Sequence, residues 1–165
     1  VIQRVSWSQV VIDGRVVAQI GKGLLVLLGV GKEDDEKDVE FMLRKIPNLR
    51  VFEDEEGKMN RSLMEISGEL LLISQFTLYG NCRKGLRPSF EKAASPERAN
   101  QLYEKLLKAL REQCVKVKNG VFGAHMQVSL CNDGPVTVIL DSKERRKGNS
   151  EALDGAFRSW GTDDQ

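Results

Sequence analysis

Glu69-Leu70-Leu71-Leu72-Ile73-Ser74-Gln75-Phe76-Thr77-Leu78-Tyr79-Gly80 begins as a run of aliphatic side chains and ends in a block of small polar groups. A run with no polar face predicts a strand, Glu69 to Phe76, that is covered on both sides. Gly23 to Val30 has the same character and predicts a second buried strand. Near the other end, Asn132-Asp133-Gly134-Pro135-Val136-Thr137 leads into the apolar Val136 to Leu140. Polar groups set at the mouth of a buried strand are held rigidly, which favours a binding or catalytic site. A strand that served packing alone would have no use for Ser-Gln-Phe-Thr or Asn-Asp-Gly-Pro.

Outward from these stretches, the opening reads as a meander. Val1 to Val5 and Gln9 to Ile12 are apolar-rich, and Asp13-Gly14 is a hairpin turn into Arg15 to Ile20. From Asp34 to Ile46 the period becomes helical, with Val39, Met42, Leu43 and Ile46 on one face. Acids open that helix, Arg44 and Lys45 close it, and Pro47 stops it. Leu49 to Phe52 predicts a short strand turned by Asp54 to Gly57. Ser95-Pro96 predicts a cap and first turn for a helix reaching about Gln113, with Ala99, Leu102, Tyr103, Leu106 and Leu110 inward. Strands follow near Val115, over Gln127 to Leu130 and over Val136 to Leu140. Strands in runs, broken by two main helices, predict an α+β single domain. Its antiparallel or mixed β-sheets would stack in layers, with both helices on one side. A domain of residues 1–141 is expected, followed by a charged and polar tail, 142–165, read as mobile with one helical turn around Glu151 to Trp160.

The bulk properties are restrictive. Of 165 residues, 25 are Lys or Arg and 24 Asp or Glu, so a net charge of +1 gives no global attraction to nucleic acid, and any RNA contact must be a local patch. Cys82, Cys114 and Cys131 have neither CxxC nor Cys/His spacing, and read as free thiols in a reducing compartment. The longest apolar run is far below membrane-spanning length, and no signal segment is visible, so a cytoplasmic protein without membrane contact is expected. His125 is the single histidine. It lies in an alternating stretch, Phe122 to Val128, where a packed or half-exposed strand residue is expected. A Ser-His-Asp or Cys-His hydrolase would have to rest on it alone. No zinc spacing, Walker or Rossmann glycine pattern is present, so no metal and no cofactor is expected.

Together, Ser74-Gln75-Phe76-Thr77-Leu78 and Asn132 to Thr137 strongly resemble the D-aminoacyl-tRNA deacylase family. Val1 to Val5, Gly29-Val30, Asn48 to Asp54, Lys84 to Phe90 and Phe122 to Met126 agree with it in the same order, so the resemblance covers about Val1 to Asp141. The family's chains usually have a few residues ahead of the position of Val1. The resemblance implies hydrolysis of D-aminoacyl-tRNA, and glycyl-tRNA with it, to free amino acid and tRNA. It implies a homodimer in which a cis Gly134-Pro135 bond enters the partner's site, its carbonyls facing the α-amino group and leaving no room for an L side chain. The same two residues also fit a plain turn between two strands. Backbone N–H groups around Phe76 and Thr77 would stabilise the oxyanion, with Ser74 and Gln75 orienting the terminal nucleotide or the water. Phe76 would pack on the terminal adenosine.

Several roles stay open at this stage. Thr77 is the one hydroxyl suited to act as a nucleophile, but with no base at hand a positioning role is favoured. Phe122 and Met126 line the family's pocket, yet their pattern equally suits core. Arg83, Lys84 and Arg87 are placed for acceptor-end phosphates, or for an ordinary solvated loop. The Lys143 to Lys147 stretch fits a solvated tail better than an RNA contact. The rival class is a non-catalytic nucleic-acid-binding module on the same fold.

Overall fold

Two strands that are apolar on both faces hold the centre of one mixed sheet. The computed structural model describes residues 1–113 and 115–146. Its strands are β1 (Ile2–Ile12), β2 (Arg15–Ile20), β3 (Gly23–Leu28), β4 (Phe52–Glu53), β5 (Met59–Arg61), β6 (Glu69–Ser74), β7 (Lys116–Asn119) and β8 (Gln127–Val138). The helices are α1 (Glu36–Lys45) and α2 (Pro96–Glu112). The main sheet runs β2-β1-β3-β6-β7, with β8 on the other edge of β1, while β4 and β5 form a separate hairpin.

β3 pairs parallel with β6, and β6 with β7. These parallel neighbours are joined through α1 and α2, so half of the sheet has helical crossovers that reading strands in runs did not anticipate. Alternation then sorts the side chains. Leu24, Val26, Leu28, Leu70 and Leu72 face the helices, meeting Leu102, Tyr103, Leu106 and Leu110 of α2. Leu25, Leu71 and Ile73 face the other way, into a second core with Val5, Val10, Ala18 and Ile20. The sheet curls to close that second core: Lys118 Nζ of β7 donates to the Gln19 carbonyl of β2 at 2.6 Å.

Local signals explain most boundaries. Asp13 and Gly14 both take positive φ, 49° and 75°, as a two-residue hairpin turn requires. Asp35 caps α1 through the Lys37 amide, and Asp38 returns a bond to the Asp35 amide. Ser95 caps α2 through the Arg98 amide.

Four expectations need correction. The strands expected over Gln127 to Leu130 and Val136 to Leu140 are one, β8. β1 is one strand, not two, because its early residues pair with β3 and its later ones with β2. β6 ends at Ser74, and Phe76–Tyr79 winds into a 3-10 turn. Phe122 to Val128 is no alternating strand: Gly123 has φ 74°, Ala124 N donates to the Val121 carbonyl at 3.2 Å, and pairing starts only at Gln127. Ser142–Arg146 forms a 3-10 turn. The rest of the expected mobile tail, its helical turn included, lies outside the described residues. Among the described residues, no helix is long and apolar enough to cross a membrane.

Candidate active site

The first motif sits where the central parallel pair ends. Leu28 O accepts the Gln75 amide at 2.8 Å, continuing the ladder by one bond, after which the chain turns. Gly80 N donates to Thr77 O at 3.0 Å and closes the turn. The leading amides of such a turn have no acceptor within it, so the N–H groups of Phe76 and Thr77 are available to a ligand. The Gln75 side-chain amide donates to Thr77 Oγ1. Among the described residues, no carboxylate or imidazole is bonded to that hydroxyl.

Ser74, Gln75 and Phe76 line a cavity of about 600 Å³ together with Phe122, Met126, His125 and Phe90. The structure therefore brings five of the motif-derived residues into one space. Phe76 is 57% exposed and meets Phe90 edge-on, with centroids 5.1 Å apart. Phe122 leans on Tyr103, whose hydroxyl donates to Leu72 O at 3.0 Å. Burial pushes the Tyr103 phenol up to about 12. Met126 enters because residue 120 is glycine: a Cβ there would lie 2.7 Å from its sulfur. Phe90 was missed as a site residue, although the Pro-Ser-Phe after a basic loop was a visible signal.

The turn is also a partition. Leu78 and Tyr79 face a second cavity of about 400 Å³ on the other side, with Asp34, Val39 and Leu106. The Tyr79 ring packs so close to β3's exit that a Cβ at Gly31 would lie 2.6 Å from its hydroxyl. Asp34 Oδ2 accepts the Gly31 amide at 2.7 Å, with the Tyr79 hydroxyl at 3.5 Å, while Oδ1 is buried without a hydrogen bond. Burial, above all, raises the Asp34 carboxyl above its ordinary value, and burial with the Asp34 charge pushes Tyr79 up to about 12. This second space holds neither Ser74, Gln75 nor Thr77, and of the motif's polar groups only the Tyr79 hydroxyl faces it, so it reads as support for the turn.

The second motif is not a turn between strands. It is a wide bulge inside β8. Between the pairs Gln3↔Thr137 and Val5↔Asn132, β1 advances two residues while β8 advances five. The Asn132 side chain stitches the bulge shut, accepting from Val136 N at 2.7 Å and donating to Thr137 Oγ1 at 3.0 Å. Arg4, only 7% exposed, holds it from beneath: Nε donates to Asp133 O and Nη1 to Val51 O, both at 2.8 Å. Glu53 lies 3.9 Å from its Nη2. Sequence reasoning gave Arg4 no role; its signal was one cation among apolar strand residues.

The Gly134-Pro135 peptide bond is cis, and Gly134 has φ 141°. A Cβ at Gly134 would lie 2.8 Å from Val136 N, so only glycine fits. Gly134 and Pro135 are exposed and do not line the cavity that holds Ser74 and Phe76. Arg83, Lys84 and Arg87 are exposed on the loop after the first motif.

Comparison with known proteins gives a consistent result. A family model described as D-Tyr-tRNA(Tyr) deacylase matches residues 1–141. The D-aminoacyl-tRNA deacylase of Thermosipho africanus is 58% identical over 144 residues, covering 87% of this chain and 97% of that protein. That of Clostridioides difficile is 59% identical over 144 residues, with coverage of 87% and 97%. The solved c-Myc DNA unwinding element binding protein superposes with a TM-score of 0.81 at 45% identity, covering 85% of this chain and 95% of that one. A structure described as a probable eukaryotic D-amino acid tRNA deacylase shares the fold, with a TM-score of 0.66 at 16% identity and coverage of 81% and 92%.

Proposed function

We propose how the site works from a premise those matches establish: this chain belongs to the D-Tyr-tRNA(Tyr) deacylase family and is a D-aminoacyl-tRNA deacylase. Its substrate is an ester between an amino acid and the terminal ribose of tRNA. That ester is already activated, and the neighbouring ribose hydroxyl can both donate and accept a proton. The protein therefore has to position the ester and stabilise the charge that develops on its carbonyl oxygen. Water adds to the carbonyl carbon while the Phe76 and Thr77 N–H groups receive the oxyanion. The carbon–oxygen bond to the ribose then breaks, and the proton passes to the ribose oxygen, leaving free amino acid and intact tRNA.

In this reading Ser74 and Gln75 orient the terminal nucleotide and the water, and Thr77 positions Gln75. That Thr77 Oγ1 accepts from the Gln75 amide, with no base bonded to it among the described residues, supports that role over a nucleophilic one. The terminal adenosine occupies the cavity between Phe76, Phe90, Phe122 and Met126. Arg83, Lys84 and Arg87 meet acceptor-end phosphates.

The observation that carries the chiral reading is the second motif: a backbone feature anchored by a buried arginine, yet exposed and absent from its own cavity. Such rigidity serves a site on another copy of the chain. A Gly134-Pro135 wall in the partner's cavity excludes any L side chain by backbone sterics alone, which suits an enzyme acting on many amino acids. Glycine has no side chain to exclude, so glycyl-tRNA is a substrate too. Action on tRNA fits the cytoplasm.

The test is release of amino acid from matched D-tyrosyl-, L-tyrosyl- and glycyl-tRNA at catalytic enzyme concentration without added metal. Rapid loss of the D and glycyl esters, with the L ester spared, is expected. The solved relative named for binding a DNA element supports one rival, a nucleic-acid-binding module. Retention of tRNA without turnover of any ester would favour it.

A further inference from the structure

The loop that follows the catalytic turn is built as an arm. Asn81 and Ser89 exchange backbone hydrogen bonds in both directions, at 2.8 and 3.0 Å, and close a neck around residues 82–88. Asn81 Oδ1 also accepts the Arg83 amide at 3.1 Å, which stiffens the way out. At its root the arm is joined to the site: beyond the neck, Phe90 packs edge-on against Phe76. A Cβ on Gly80 would lie 3.2 Å from the Phe90 ring and 3.0 Å from Thr77 O, so arm and catalytic turn leave no space between them.

From Asn81 to Phe90 there are three cations, Arg83, Lys84 and Arg87, and no carboxylate. All three are exposed, and none takes part in an ion pair among the described residues. Leu86 stands between them, fully exposed, beside Gly85 at φ 68°. A lone exposed leucine is ordinary. An exposed leucine bracketed by unneutralised cations, on a stiffened loop rooted in a nucleoside-sized cavity, is a pattern with a chemical match. Single-stranded nucleic acid offers phosphates to the cations and an unstacked base face to the apolar tip. Paired RNA would hide that face, whereas the end of an acceptor strand leaves it open.

We propose that the 82–88 loop grips the single-stranded end of the tRNA just before the terminal nucleoside, with its cations on the phosphates and Leu86 against an unstacked base. This rests on the deacylase reading of the adjoining cavity. It makes the enzyme sense a polynucleotide, not merely an aminoacyl nucleoside.

The test compares D-tyrosyl-tRNA with the D-tyrosyl ester of adenosine as substrates for two variants, Leu86→Ser and the triple Arg83→Gln/Lys84→Gln/Arg87→Gln. On tRNA the triple variant should lose roughly 10- to 100-fold in kcat/KM, mainly through KM, and its salt slope should fall by about 2. Leu86→Ser should lose about 5-fold with the slope unchanged. Both losses should be confined to the tRNA substrate. Equal losses on both esters would reduce the arm to a structural support of the site, and no loss on tRNA would remove it. If the unaltered protein hydrolysed neither ester, the deacylase reading would fail instead. Filter retention of tRNA by the triple variant would then decide the arm, with unchanged binding overturning it.

Discussion

The two polar motifs look alike in sequence and are held in opposite ways. Ser74 to Gly80 leaves the end of a buried strand and is fixed by main-chain bonds: Gln75 N to Leu28 O, Gly80 N to Thr77 O. Asn132 to Thr137 interrupts a strand and is fixed by side chains, Asn132 across its neck and Arg4 beneath it. The first encloses a cavity in its own chain, while the second projects from the surface. Backbone-fixed structure tolerates side-chain change; structure fixed by side chains does not. That difference sets the order of what mutation should do.

Gly134→Ala should have the largest effect on selectivity. A Cβ 2.8 Å from Val136 N, at a φ only glycine adopts readily, must displace the bulge. D-over-L discrimination on tyrosyl-tRNA should fall by roughly 10- to 100-fold, a loss of about 1.4–2.8 kcal/mol. The apparent Tm should move far less, since of the bulge's side chains only the half-buried Val136 packs against the core. Unchanged discrimination would detach the second motif from selectivity.

Arg4→Leu comes next. It removes two charge-assisted bonds, to Asp133 O and Val51 O, from a buried position. Bonds of this kind contribute about 1.5–3 kcal/mol each, offset here by relief of burying the guanidinium, so a net loss of about 3 kcal/mol is expected in denaturant unfolding. Selectivity should fall together with stability. A variant of native stability and native selectivity would show that the bulge holds itself.

Thr77→Ala should do much less, because the turn it leaves is main-chain built. Hydrolysis of D-tyrosyl-tRNA should stay within about 10-fold of the unaltered rate. Abolished turnover with tRNA still bound would make Thr77 the nucleophile.

Asp34→Asn should have the smallest effect, and its sign is informative. Burial raises the Asp34 carboxyl above its ordinary 3.8, so the fold disfavours the charged form. That penalty is present above the raised value and vanishes as the carboxyl protonates at lower pH. The asparagine can still accept the Gly31 amide. Its Tm should exceed the unaltered protein's by about 1–2 °C near neutrality, and the lead should close on acidification. A lead that widened at low pH would contradict the burial argument.

How far the sequence could be read follows the same division. Leu24 to Leu28 and Leu70 to Ile73 declared a doubly covered sheet, and Ser95-Pro96 declared a helix start, because these signals are local. The split of β1 and β8 into shorter strands failed for a non-local reason. Ser6 and the Asn132–Pro135 stretch look like breaks, but pairing to β8 and to β1 carries the ladder past them. His125 was misplaced because Gly123's positive φ converts an apparent alternation into a turn. In the candidate site, Ser74, Gln75 and Phe76 were legible from the strand-end pattern, while Phe122 and Met126 joined them only through the family resemblance, their pattern equally suiting core; all five line one cavity. Arg4 was not legible as an anchor: only the fold reveals that Asp133 O and Val51 O converge on it.

The central claim is that the two motifs complete one site from two copies of the chain. Mixing two disabled variants tests it most directly: Gln75→Ala/Phe76→Ala, lacking a working cavity, and Gly134→Ala, lacking a working bulge. Each alone should lack selective hydrolysis of D-tyrosyl-tRNA. A hybrid pairs the intact cavity of one with the intact bulge of the other, so an equimolar co-expressed mixture should recover roughly a quarter of normal selective turnover. A mixture no better than the average of its two components would contradict the claim and return both motifs to a single chain.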